Sequence, residues 1–284
     1  MIGAFDSGHG GLTILRALTA HLPERSFLYF GDHAHMPYGE RSADEILQLT
    51  EAAITLLFER GCRLVLLACN TAAAVALRTL QQQWLPAHYP DRRILGVLVP
   101  TVEIATGIPW AETTPRNAHN VNRSIAIFAT RRTVASNVYV EEIRKRAPHI
   151  TVVQQACPGL VSLIEQSAPR AELRDAVQGH VRALMAQMNG AMPDSVILGC
   201  THYPLVADLF TEMLPAGCEV LSQPDLVARS LIDYLKRHPE IDTATPAPST
   251  RFLTSGDPDT ASHFATVFFG RPVQFQSVPL KAIV

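Results

Sequence analysis

Short apolar runs, rich in β-branched and aromatic side chains, alternate along this chain with longer stretches whose apolar positions recur at helical spacing. The runs Ile2–Phe5, Phe27–Gly31, Leu64–Ala68, Ile94–Leu98, Ser124–Ala129, Thr151–Gln155, Ser195–Gly199, Glu219–Ser222 and Thr250–Thr254 read as strands. Most are apolar nearly throughout rather than at alternate positions, the pattern of strands covered on both faces. The periodic segments Ala43–Arg60, Thr71–Gln83, Thr133–Arg146, Ala171–Met188, Pro204–Met213 and Pro224–Arg237 read as the covering helices. Such alternation signals βα units and parallel sheets, so the fold class is α/β. Two stretches break it. Pro109–Arg123 is polar, holds Pro109 and Pro115 and has no apolar period, which makes it a loop or linker where the chain can change domain. Pro239–Ser249 is a second proline-rich break, expected to be exposed.

A longer echo lies inside the pattern. The strand before Cys69-Asn70-Thr71 and the strand before Cys200-Thr201-His202 each deliver a cysteine to their carboxyl end, just where a helical segment begins. Two similar α/β halves are therefore expected.

Composition narrows the partners. The 284 residues are 47% hydrophobic and 18% charged, which suits a protein with a large core, and the formal charge of −2 carries no footprint for nucleic acid or an anionic membrane. A small ligand is the expected partner. No apolar stretch reaches eighteen residues, and the start lacks the basic, apolar, small-residue order of a signal peptide, so a cytoplasmic location is expected. Five cysteines in a chain of this length fit no disulfide framework in a reducing compartment. The three lysines, Lys145, Lys236 and Lys281, stand in helical or terminal contexts rather than at a strand end, which argues against a pyridoxal-phosphate Schiff base.

The chemistry therefore falls on the strand ends. The carboxyl edge of a parallel sheet is where α/β proteins bind ligands, and helix N-termini there offer unpaired N–H groups to an anion such as a carboxylate. The same environment is expected to depress the cysteine pKa and let a thiolate at position 69 or 200 act as a base. The competing reading is a pair of buried structural cysteines; the repeated placement beside Asn, Thr and His favours function. Cys62 and Cys218, at helix-to-strand turns, read as structural, and Cys157, before Pro158, is left open. Cys69, Cys200 and His202 could be soft metal ligands, but no Cys-x-x-Cys or His-x-x-x-His is present, so no metal is expected. In the N-terminal turn, Gly8, Gly10 and Gly11 do not have the spacing of a dinucleotide fingerprint. Asp6 and Ser7 instead end the first strand at the same edge as Cys69, where a carboxylate could orient an ammonium group or relay a proton, or where one of the two could cap the next helix. Pro37-Tyr38-Gly39 reads as a turn able to line a pocket, and His202 as the histidine best placed for catalysis.

Taken together, Phe5-Asp6-Ser7-Gly8-x-Gly10-Gly11-Leu12, Tyr29-Phe30-Gly31-Asp32, Pro37-Tyr38-Gly39, Ala68-Cys69-Asn70-Thr71-Ala72 and Leu198-Gly199-Cys200-Thr201-His202-Tyr203-Pro204-Leu205 resemble the glutamate racemases of the aspartate/glutamate racemase superfamily. Cys157-Pro158 to Glu165 and Thr254-Ser255-Gly256-Asp257-Pro258 extend the resemblance across nearly the whole chain. It implies two parallel-sheet α/β domains related by a pseudo-two-fold axis, residues 1–97 with 223–284 and residues 98–222, with the active site between them. It also implies cofactor-independent racemisation in which Cys69 deprotonates the D-enantiomer and Cys200 the L-enantiomer of glutamate, with Asp6, His202 and Glu165 assisting. Ser7, Pro37, Tyr38, Gly39, Asn70, Thr71, Thr130, Thr133 and Thr201 match positions that hold the substrate. The implied role is supply of D-glutamate for peptidoglycan; a homodimer is left open. His33, His35, Val99, Ala129 and Ser222-Gln223-Pro224 depart from the family pattern, and the Pro109–Arg123 segment looks enlarged, departures that bear on substrate choice, oligomer contacts or regulation. A racemase of another amino acid and a non-catalytic ligand-binding paralogue are the alternatives.

Overall fold

The alternating runs fold into ten strands among the residues described by the computed structural model, which are 1–109, 123–241 and 247–280. They are β1 (Ile2–Asp6), β2 (Phe27–Gly31), β3 (Leu64–Leu67), β4 (Arg93–Gly96), β5 (Ser124–Ala129), β6 (Thr151–Ala156), β7 (Ser195–Gly199), β8 (Glu219–Leu221), β9 (Thr250–Thr254) and β10 (Phe275–Ser277). One sheet runs β10-β9-β2-β1-β3-β4 and the other β6-β5-β7-β8. Every pairing is parallel. The order β2-β1-β3-β4 in the first sheet is repeated as β6-β5-β7-β8 in the second. Cys69 follows β3 and Cys200 follows β7, so the two thiols leave equivalent third strands.

Successive strand residues point to opposite faces, and each face feeds its own core. Ala4, Tyr29, Leu66, Phe128 and Leu198 pack into one core; Phe5, Phe30, Leu67, Ile127 and Ile197 pack into the other. Both cores run on from the first sheet into the second. Each fully buried Leu, Ile or Phe contributes about 1.5–3 kcal/mol by leaving water, so the halves are joined by burial as well as by the chain.

Several boundaries differ from the sequence reading for identifiable reasons. The run Ile94–Leu98 overshoots: β4 stops at Gly96 and Leu98–Thr106 is a helix, whose apolar composition resembles a strand although Pro100 sits in its first turn, where a missing N–H costs nothing. The segment Thr133–Arg146 is two helices, Arg131–Ala135 and Val138–Arg146, parted by Asn137 at φ 56°, a left-handed conformation that asparagine tolerates. Pro204–Met213 begins as a tight turn, Tyr203–Val206, before the helix Ala207–Met213. Helices Leu160–Glu165 and Pro258–Phe269 and strand β10 were not anticipated. The Pro109–Arg123 segment falls at 110–122 outside the described residues, as does 242–246 of the second break, whose flanks at 239–240 and 247–249 are exposed.

Candidate active site

Cys69 caps the helix Asn70–Thr79, its sulfur accepting the Ala72 N–H at 3.5 Å. Ser7, just beyond β1, places its hydroxyl 3.5 Å from the same sulfur. Burial is the main force on this thiol, and Asp6 adds negative charge beside it; together they push its pKa up to about 12, against the Ala72 N–H and the Ser7 hydroxyl. The expectation that the helix terminus would depress it is thus corrected: desolvation outweighs the helix dipole here. Asp6 is itself buried and raised by that burial, though its Oδ1 accepts the Gly8 N–H at 2.8 Å and His202 opposes the shift. The following helix, Gly11–His21, has Gly10 at its N-cap with no side-chain cap, while the Gly11 N–H bonds the Asp6 carboxyl.

Across the gap, Cys200 follows β7 and is 5% exposed, against 6% for Cys69. Its sulfur lies 3.8 Å from His202 Nδ1, and His202 Nε2 lies 2.6 Å from Glu165 Oε1. Burial penalises a charged His202, yet its hydrogen bonds to Cys200 and Glu165 prevail and raise its pKa well above the usual histidine range. Glu165 mirrors it. Burial alone would raise this carboxyl, but hydrogen bonds from His202 and His9 hold it well below the ordinary carboxylate range.

Glycines let the two strand-end loops meet. A Cβ at Gly10 would come within 2.4 Å of Thr201 Oγ1 and 2.5 Å of the His202 ring. Nearby, Thr13 Oγ1 donates to the Thr201 carbonyl at 2.9 Å and Thr201 Oγ1 donates to Asp6 Oδ2 at 3.3 Å. The first-sheet loop is therefore stitched to the loop that carries Cys200.

Both cysteines line one cavity of about 60 Å³. Of the positions singled out in the sequence, Ser7, Pro37, Tyr38, Gly39, Asn70, Thr71, Thr130, Thr201 and His202 line it as well. Asp6 and Glu165 do not; they stand behind the lining, Asp6 beside Thr201 and Glu165 behind His202. Thr133 is fully buried below it, its hydroxyl 3.1 Å from Thr130 Oγ1, while Thr130 Oγ1 lies 3.0 Å from Thr71 Oγ1 across the two sheets. Tyr38 is held in place by donating to buried Asp32 Oδ2 at 2.6 Å. The Asn70 side chain faces away into a buried network, donating to Gln223 Oε1 at 2.6 Å and accepting from Tyr139 Oη at 2.8 Å. Sequence reasoning missed Glu40, Arg131, Pro158, Gly159, Val161 and Ser162 in the lining, and left Cys157 open although it too lines the cavity. It also missed His9, whose position inside the glycine-rich turn was the available signal. Of the departures from the family pattern, His33 lies against His9 and His35 bonds Asp32 at 2.8 Å. All five cysteines are free, and among the described residues no group of three or more His, Cys, Asp or Glu side chains is arranged to hold a metal ion. No described helix is long and apolar enough to cross a membrane.

Two buried sulfurs thus reach one cavity from equivalent strand ends of two parallel α/β sheets, and the comparisons place this fold among the amino-acid racemases. The Asp/Glu/Hydantoin racemase family model matches residues 12–231, and the chain belongs to that family. Within it, the chain is similar to glutamate racemases: that of Phenylobacterium zucineum is 46% identical over 281 residues, covering 97% of this chain and 99% of its own length. That of Caulobacter sp. (strain K31) is 44% identical over 282 residues, with 97% and 99% covered. Among solved structures, glutamate racemase isoform RacE1 from Bacillus anthracis superposes with a TM-score of 0.84 at 27% identity, covering 99% of this chain and 97% of that one. The Francisella tularensis glutamate racemase, in complex with D-glutamate, gives 0.83 at 25% identity, with 99% and 98% covered.

Proposed function

We propose that the protein interconverts L- and D-glutamate without a cofactor, Cys69 and Cys200 alternating as base and acid on opposite faces of the α-carbon. The observation that carries this reading is the placement of both thiols on one small cavity from equivalent strand ends. For the L-enantiomer, the Cys200 thiolate, steadied by His202 and Glu165, removes the α-proton; the electron pair left behind spreads into the substrate carboxylate, and the Cys69 thiol delivers its proton to the other face. The D-enantiomer reacts in the reverse sense. A single base would tend to return the proton to the face it left, so inversion calls for two. Cys69, whose pKa stands near 12, is protonated at rest, as its part in the L-to-D direction requires. The carbanion needs donors around its carboxylate, and the helix-start N–H groups at Asn70 and Arg131, with the hydroxyls of Ser7, Thr71, Thr130 and Thr201, are the groups we assign to that task, Thr133 supporting Thr130 from below. Pro37, Tyr38 and Gly39 line the cavity as well, with Gly39 against Thr130. Among the described residues no lysine lines the cavity.

The same reading takes residues 1–97 with 223–284 and residues 98–222 as two domains related by a pseudo-two-fold axis. It also makes supply of D-glutamate for peptidoglycan the physiological role. Circular dichroism of purified protein with L- and D-glutamate, alongside other amino acids, tests it. Turnover of glutamate in both directions is expected, with Cys69→Ser and Cys200→Ser each lowering it by on the order of a thousandfold while the fold is kept. Turnover of a different amino acid alone would overturn the substrate, and an active serine variant would overturn the mechanism.

A further inference from the structure

We propose that His9 is a positioning residue for the Cys200 half of this reaction: it shares the Glu165 carboxylate with His202, and so fixes where that carboxylate, and the His202 ring bonded to it, stand against the Cys200 sulfur. The inference rests on the two-thiol reading above. It follows from the hydrogen-bond geometry. His9 Nδ1 lies 2.9 Å from Glu165 Oε2, and His9 Nε2 lies 3.2 Å from the Ala261 carbonyl. The ring is thereby held at both nitrogens, one on a carbonyl of the helix Pro258–Phe269 and the other on the carboxylate. A single carboxylate thus bonds two imidazole rings, His9 through Oε2 and His202 through Oε1, and the second ring leads to the Cys200 sulfur.

The surroundings hold the ring in place. His9 is 3% exposed, stacked on Phe268 with ring centroids 5.5 Å apart and met by the edge of Phe264 at 6.0 Å. The titratable groups that face it are Glu165 and His33, with His202 and Cys200 beyond Glu165. His33 lies at 4.2 Å between centroids but points its Nδ1 at the Gly31 carbonyl and Thr254 Oγ1, and its Nε2 is buried without a partner. Burial and the neighbouring His9 push the His33 pKa down to about 3, so it stays neutral.

Removing His9 takes away one of the two side chains that hold the Glu165 carboxylate, so Glu165 and the His202 ring bonded to it lose their fixed place. The test is kcat and KM in each direction for the full-length wild-type protein, His9→Val and His9→Asn, whose amide can still donate to Glu165. In His9→Val kcat falls about tenfold both ways with KM little changed, and His9→Asn recovers most of the loss. A wild-type kcat in His9→Val, or a loss that His9→Asn does not recover, overturns the assignment and leaves the two-thiol reading standing. A wild-type protein that turns over neither enantiomer overturns both.

Discussion

At the scale of single residues, the two thiols are chemically unlike although they are topologically alike. Cys69 is attended by a hydroxyl, a helix N–H and the carboxyl of Asp6, whereas Cys200 is attended by His202 and through it by Glu165. Negative charge at Asp6 disfavours the Cys69 thiolate, so Asp6→Asn makes that thiol ionise at lower pH; the acid limb of D-to-L kcat/KM shifts downward, and an unmoved limb would reduce Asp6 to a structural group. The cysteines and their flanking Asn, Thr and His were legible in the sequence because strand ends and helix starts announce themselves in local pattern. Their ionisation was not. The dipole argument that predicts a depressed thiol is local, while the desolvation that reverses it at Cys69 comes from the packed whole.

At the scale of elements, the site is an encounter of loops from two sheets, and glycine governs how close they come. Gly10→Ala would drive a methyl group into Thr201 and the His202 ring at about 2.5 Å, so the Cys200 loop must shift. The expected result is a fall in kcat of at least about tenfold, with an unchanged far-ultraviolet circular dichroism spectrum, because misplacement by an ångström costs up to about a hundredfold at a reacting centre. Full activity would show that the loops are not held in register there. Strands buried on both faces were readable from their unbroken apolar runs. Helix Leu98–Thr106 was not, since a short apolar run does not tell a strand from a buried helix. The glycine-rich turn was recognised as unlike a dinucleotide loop, but what it approaches depends on the second sheet.

At the scale of the molecule, long-range pairs decide both stability and chemistry. His9 and Glu165 are 156 positions apart, and Asn70 and Gln223 are 153 apart; no local pattern couples such positions, so the resemblance to a family named Glu165 while His9 and the Gln223 network went unseen. The half-buried His33 gives the whole fold a pH dependence. Its pKa is about 3 when folded and 6.5 as a free side chain, so the unfolded chain binds a proton between these values that the folded one refuses. Its contribution to stability is complete above pH 6.5 and is lost as pH falls toward 3. Urea unfolding at stepped pH should therefore show stability declining across that window, with a shallower decline in His33→Gln; identical slopes would place the acid sensitivity elsewhere.

The central claim, that two opposed thiols share one substrate, is tested most directly by running L-glutamate in deuterium oxide and following the α-position of both enantiomers by proton NMR from the first turnovers. The account predicts D-glutamate formed with deuterium at the α-carbon while unreacted L-glutamate keeps its protium, because the proton removed by Cys200 is not the one delivered by Cys69. Deuterium entering recovered L-glutamate as fast as it enters D-glutamate would contradict it, since a single base would then serve both faces.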